Sequence, residues 1–518
     1  MKQGSFGQPN PAEALNEELL INGEDSFTND NESQIKETKR SQQDDNTRYS
    51  TSSLAKGIAK GAIPCMIQFF SALFVNNTTL HYISLKNDIN LYNGISLALN
   101  IMNCFSFYLI FHSNIGFNAA ASQAMGAKNP RLVGLYLHRA FILHFIAGIF
   151  AYGILLSGPW IFTKMGVNPE FAKVAWSYLL WSPGYIIGVI IFDTLKNFLY
   201  VHKIFNPLVI IQLGIAVSYW FLADFLFLKK DLGVDGMIYA ISASQGVGCL
   251  LLLGYFFIFK PKQIRETWFW FTKDSFKELG HLAKVMVQVG GMGYVEVFAY
   301  RIQSFASMYF DGPQTAALTA FLAFGDLFYV LPLGISFPVI TYIGSAMGSR
   351  NKQAVLKIIK VTTIMSTVLL CGLVGTFAIW RSDFFKFYTQ DPDVLAVMEK
   401  MGLLYFFTFP ADFYQTLFAG IIKGAGQEKK GTKFFLLSLY CVGVPLALLF
   451  SIFLKWQSPG MWFGNGIGIW VAMISFGWII YKVDFNKQFE YIRQRNKKGA
   501  GKNAKKSETE TEEPLTIS

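Results

Sequence analysis

Charge is scarce in this chain. Asp, Glu, Lys and Arg make up 15% of its 518 residues, against roughly a quarter in an ordinary soluble domain. So few charges exclude an extended solvent-facing assembly or a long disordered body, both of which depend on charge to stay dissolved. Cysteine is also rare: Cys65, Cys104, Cys249, Cys371 and Cys441 each stand alone in an apolar run and read as small packing residues. That spacing excludes a disulfide framework and a thiolate metal site. The histidines His81, His112, His138, His144, His202 and His281 form no ligand pattern. There is no phosphate-binding Walker loop, so ATP-driven pumping is not indicated. No nucleophile, metal cluster or acid–base dyad with a clear spacing appears, which argues against an enzyme.

What is plentiful is apolar and aromatic surface, at 52% and 16% of the residues. A helix of roughly 20 apolar residues spans a hydrocarbon core, and such runs recur from about Leu54 to Val483. We place them near 54–82, 91–124, 133–163, 170–200, 205–228 and 235–259, then 283–310, 313–346, 353–382, 395–424, 432–455 and 461–483. The expected fold is therefore an all-α integral membrane protein of about twelve transmembrane helices, in two parallel-repeat six-helix bundles with a central cavity. Its expected parts are a disordered tail (1–52), an N-terminal bundle (53–259), a linker (260–282), a C-terminal bundle (283–483) and a second tail (484–518). The linker's aromatic and basic residues suit an amphipathic helix on the inner surface.

The net charge of +11 does not form an aromatic-interleaved basic face, so nucleic acid is not an expected partner. The basic residues fall in alternate loops, among them Lys128, Arg131, Lys262, Arg350 and Lys430. By the positive-inside tendency both termini are expected in the cytoplasm, and the expected location is a plasma or vacuolar membrane. No obligate protein partner is evident, and no cofactor is expected beyond a coupling ion. Asn76 and Asn77, each two positions before a threonine, fit weak glycosylation sequons near the outer end of the first span.

An internal repeat supports the two halves. SQAMGAKN at Ser122–Asn129 returns as GSAMGSRN at Gly344–Asn351, each after the second span of its half. An even number of spans per copy relates the copies by an axis along the membrane normal. Such halves place a cargo site at their interface and work by rocking.

Acidic residues inside the runs are few. Glu296 lies among apolar and aromatic neighbours, where desolvation penalises the charged form and favours uptake of a proton. Asp412 follows Pro410, whose missing amide hydrogen frees a backbone carbonyl. An ion pair that merely locks two helices is the bland alternative for either. Asp193, three residues before Lys196, reads as a local pair, and Asp224 sits near the outer end of its span. Arg301 stands five residues after Glu296, about 140° round a helix, and is expected to face elsewhere, toward Asp326 or Asp412. Tyr294, Phe298, Tyr300, Tyr309 or Tyr414 could hold flat cations through their ring faces.

GFNAAASQAMGAKN followed by GLYLHRA, then VEVFAY, LPLGIS and GIIKGAGQ, resembles the multidrug and toxic compound extrusion family in its eukaryotic form, over about residues 54–482. The resemblance implies a secondary antiporter of small organic compounds, cationic or xenobiotic, coupled to protons or to sodium in their place. It implies that Glu296 and Asp412 are the proton-coupling carboxylates. The residues expected around the cargo are Tyr294, Phe298, Tyr300, Arg301, Gln303, Asp326, Tyr414, Asn118 and Gln123. Three departures bear on the cargo. Arg301 stands where a second acid is common, Ala323 where another is found, with Asp326 one turn on, and Asn118 where Asp is frequent. They leave an anionic or zwitterionic cargo open, and with it the reading of a flippase or uncoupled carrier of a lipid-linked substrate.

Overall fold

The computed structural model describes residues 50–500 except 87, 165, 260, 308 and 309. The expectations for residues 1–49 and for the acidic end of the chain after residue 500 lie outside the described residues. Met1–Lys56 and Gly57–Ser518 are separate units. Of the first, the described residues only begin the first long helix.

Twelve helices among the described residues are long and apolar enough to cross a membrane. They are α1 (Thr51–Ser84), α2 (Asn90–Gly126), α3 (Pro130–Leu156), α4 (Pro183–Val201), α5 (Asn206–Lys229) and α6 (Gly233–Phe259). The second set is α7 (Leu279–Ser304), α8 (Gly312–Gly348), α9 (Lys352–Tyr388), α10 (Pro392–Ala425), α11 (Glu428–Phe453) and α12 (Gln457–Tyr481). Ile149 on α3 and Ile210 on α5 are 73% and 75% exposed. Outward apolar side chains of this kind are stable against lipid tails, where the helix has already satisfied its own backbone.

Two of the expected spans are interrupted. The third stops at Leu156, and a short helix Gly158–Lys164 follows. The fourth divides into Pro169–Leu180 and α4. Pro159 and Pro183 explain both breaks, since proline supplies no amide hydrogen and suits the first turn of a new helix. The paired sequons fall inside α1, where Thr78 and Thr79 are buried, so this site is a continuous helix and not the exposed loop that glycosylation needs. Of the cysteines, Cys65, Cys104 and Cys249 are buried as expected, whereas Cys371 and Cys441 face outward.

Residues 261–278 also differ from expectation. They form two short turns, Lys262–Ile264 and Lys273–Phe276, and no amphipathic helix. Side chains from the bundle hold this segment: His138 contacts the Phe269 carbonyl at 3.0 Å and the Ser275 hydroxyl at 2.9 Å. His202 reaches the Thr267 hydroxyl at 2.8 Å. Two histidines without a sequence pattern are thus linker anchors. Burial pushes His202 down to about 4, opposed by its bond to the Phe198 carbonyl. A neutral ring donates from Nδ1 to the Phe198 carbonyl at 2.8 Å and turns Nε2 to the Thr267 hydroxyl.

The halves meet where α2 lies along α7 and α8. Glycine makes this possible: a Cβ on Gly126 would strike the Ser345 carbonyl oxygen, and one on Gly348 would strike that of Gln123. The repeated MG that ends α2 and α8 is therefore a close approach of the halves, in the small-residue manner of membrane helices. A shared core continues across it, joining Phe117 and Leu137 to Val285 and Ile340.

The segment from residue 484 on is not simply a tail. Phe485–Ala500 forms a helix, α13, with Gln488, Ile492, Arg495, Asn496 and Gly499 buried. Those positions repeat at helical spacing, but all except Ile492 are polar or glycine. A search for apolar periodicity passes over them.

Candidate functional site

Away from the Gly126–Gly348 contact, the halves part around a cavity of about 350 Å³. On the C-terminal side its wall is made by stripes at helical spacing: Glu296, Tyr300 and Ser304 on α7; Asp326, Tyr329 and Leu333 on α8; Tyr405, Thr408 and Asp412 on α10; Trp462, Asn465 and Ile469 on α12. Three carboxylates and a row of aromatic faces thus converge on one space. Arg301 lines it too, contrary to the angular argument, because the cavity takes in a broad arc of α7. Its guanidinium donates to Asn100 Oδ1 on α2 at 3.0 Å. Among the described residues no ion pair joins it to Asp326 or Asp412.

Glu296 and Asp412 have few partners. Tyr329 donates to Glu296 Oε2 across a long 3.4 Å, and Asp412 Oδ1 is buried with no hydrogen-bond partner. A carboxylate left this way in a low-dielectric wall is costly unless a proton, an ion or a cargo group neutralises it. Pro410 leaves α10 continuous, and the nearby Phe407 carbonyl accepts from the Trp470 indole at 2.9 Å. Beneath the site Tyr405 meets Phe321, Phe324 and Phe377 edge to face, and Phe324 packs tilted on Phe377. Trp462 Nε1 donates to Thr408 Oγ1 at 3.0 Å. This aromatic block fixes the cavity ends of α8, α10 and α12.

The N-terminal wall was less legible. Asp193 and Lys196 form the expected local ion pair on α4, but both also face the cavity, with Gln68 of α1 and Gln245 of α6. Lys196 lies 5.4 Å over the Phe192 ring. Asn103 and Phe107, also in the wall, bound a widened turn of α2. Such turns cluster at functional sites, and here the Cys104 carbonyl within it accepts from Tyr294. No periodicity in the sequence marks that turn.

Of the residues expected around the cargo, Tyr300, Arg301 and Asp326 line the cavity with Glu296 and Asp412. The others lie away from it. Tyr294 is spent on Cys104, and Phe298 packs on Tyr294 at 5.5 Å. Gln303 is 1% exposed with both amide atoms unpartnered. Tyr414 turns to Thr367 on α9 at 2.7 Å. Asn118 accepts from Ser122 and Thr341, each at 3.1 Å, which knits α2 to α8. Gln123 donates to the Gly424 carbonyl at 2.8 Å and belongs to the closed end. Tyr309 lies outside the described residues.

One family model, MatE, matches residues 64–222 and again 292–449, together more than half of the chain. The chain belongs to the MatE family. It is a transporter-family membrane protein, and the double match falls once on each half. Protein DETOXIFICATION 9 of Arabidopsis thaliana is 21% identical to this MatE protein over 88% of the chain and 95% of the relative. Multidrug and toxin extrusion protein 2 of Mus musculus is 21% identical, over 75% and 67%. An uncharacterized transporter of Schizosaccharomyces pombe is 26% identical, over 73% and 70%. The crystal structure of the eukaryotic MATE transporter AtDTX14 superposes with a TM-score of 0.81 at 17% identity, covering 86% of this chain and 99% of that one. At that identity the likeness fixes the fold alone. The fold is all-α with twelve spans, as expected.

Proposed function

We propose that this MatE protein is a secondary antiporter that exports small organic compounds, cationic or xenobiotic, in exchange for protons. The observation that carries the reading is the convergence of Glu296, Asp326 and Asp412 on one aromatic-lined cavity, with Asp412 Oδ1 lacking any partner. A cation or a proton satisfies such a group, and the two compete for it. Glu296 takes the proton as cargo leaves, Asp412 tunes it, and the halves rock between two states. The cavity lies on the far side of the Gly126–Gly348 contact, whose loops carry Lys128, Arg131, Arg350 and Lys352. On the positive-inside tendency that contact is the cytoplasmic end, the cavity belongs to the outer half, and both termini are cytoplasmic. The relatives named for multidrug and toxin extrusion support this cargo class.

A second reading rests on the two cations of the wall, Lys196 and Arg301. They favour an anionic or lipid-linked cargo carried without an imposed gradient.

The experiment is efflux of a fluorescent organic cation from proteoliposomes under a pH gradient, and again under a sodium gradient, for the natural chain and Glu296→Gln. Gradient-driven efflux lost in the variant is the expected result. Unchanged efflux in Glu296→Gln overturns the coupling role, and no cation efflux by the folded natural chain turns the assignment to the anionic cargo.

A further inference from the structure

The end of the molecule closed by Gly126 and Gly348 carries a second fastening that none of the transport chemistry uses. Helix α13 crosses from one half to the other there. On the N-terminal side Arg495 donates through Nη2 to the Gln123 side-chain carbonyl on α2. Arg139 on α3 donates to the Gly499 carbonyl at 2.6 Å. On the C-terminal side Arg495 Nη1 meets Glu428 Oε1 at 3.0 Å. Gln488 donates to the Gly426 carbonyl at 2.8 Å and accepts from Gln427 at 2.6 Å. Gly426, in the left-handed region at φ 75°, forms the turn between α10 and α11 against which Ile492 also rests. One guanidinium thus spans both halves, and it is shut in with its partners: Arg495 is 3% exposed and Glu428 1%.

A buried arginine with two ligands on two moving bodies cannot keep both when the bodies part. When α13 stays with the C-terminal half, from which it continues, separation leaves Arg495 on Glu428 but takes the Gln123 carbonyl from its guanidinium, so that a charged donor loses its acceptor in a dry site. The bond from Arg139 to the Gly499 carbonyl breaks in the same step, while the bonds of Gln488 to Gly426 and Gln427 keep α13 seated on the C-terminal half. We propose that α13 is a latch of the transport cycle and Arg495 its gate residue, holding this end shut until cargo or ion exchange at the cavity favours opening. This rests on the rocking of the two halves described above. The device is absent from the repeat, because the N-terminal half is followed at the corresponding place by the linker, which reaches the bundle through His138 and His202 instead.

The test uses the full chain with Cys371→Ser and Cys441→Ser, and spin labels on Ala127→Cys and Ser349→Cys, the exposed residues after α2 and α8. The distance distribution in lipid reports opening of this end without any cargo or gradient, so its result stands whether or not the antiport reading does. The unaltered latch gives mainly the short distance. Removing the pair together, Arg495→Met with Glu428→Gln, leaves no stranded charge and raises the ratio of long to short distance at least fivefold. Gln488→Ala, which deletes only neutral bonds, raises it in the same direction by a smaller factor, and decides the matter if the paired variant does not fold. An unchanged ratio in Gln488→Ala together with an unchanged ratio in the paired variant, or with its failure to fold, overturns the latch.

Discussion

The side-chain amide of Gln123 on α2 donates to the backbone carbonyl of Gly424 on α10 at 2.8 Å, so the closed end is fastened by an interhelical bond as well as by glycine packing. Directly beside it, a Cβ on Gly348 would strike the Gln123 carbonyl oxygen. Gly348→Val therefore cannot close this end without backbone displacement, and overpacking of that sort costs about 1–3 kcal/mol. We expect a fall in melting temperature and at least a tenfold loss of transport. Gly375→Val on α9, where a Cβ meets nothing within 4 Å, leaves both measurements near those of the natural chain.

Asp412 and its variant Asn separate stability from transport. The unpartnered Oδ1 makes the ionised group costly to bury, and the amide removes that cost. In Asp412→Asn the melting temperature holds or rises while gradient-driven efflux falls at least tenfold. A fall in both together would make the residue structural.

Thr408 and Trp462 test the cavity wall. Thr408→Val keeps the shape but removes the acceptor of the indole N–H, 3.0 Å away, and leaves a buried donor unpaired at a cost of about 1–3 kcal/mol. Thr408→Ser restores the acceptor and most of the stability. Thermal unfolding in detergent distinguishes them.

His202 predicts a pH dependence of the linker. Its folded value is pushed down to about 4, below the unfolded value of about 6.5. Above about 6.5 neither state holds the proton and the contribution is flat. As pH falls from there toward 4, the exposed His202 ring of the undocked state binds a proton that the docked ring refuses, so linker docking weakens, by roughly 3 kcal/mol at most. Below 4 the loss is complete. Hydrogen exchange across residues 261–278 is expected to quicken over that window, and His202→Asn to flatten the dependence.

Glu296 and Asp412 were legible because carboxylates are rare inside apolar runs, and rarity there is costly enough to mean something. Asp193 and Lys196 were legible only as a pair. Three residues apart on one helix they satisfy each other, and nothing local says that the face they share meets the other half. Arg301 defeated a one-helix angle argument because a cavity has width.

The sequence by itself determined the twelve spans, the repeat, the scarcity of charge and the two carboxylates, since each follows from what a hydrocarbon solvent tolerates residue by residue. Only the tertiary structure decided which faces of α7, α8, α10 and α12 meet, that His138 and His202 hold the linker, and that Phe485–Ala500 is a docked helix. The physical reason is common to all three. Those features are made by side chains that meet across long separations, aromatic rings between α8, α10 and α12 and polar groups such as Gln123 and Arg495 across 372 positions, and a residue shows no sign of such a partner until the chain has folded.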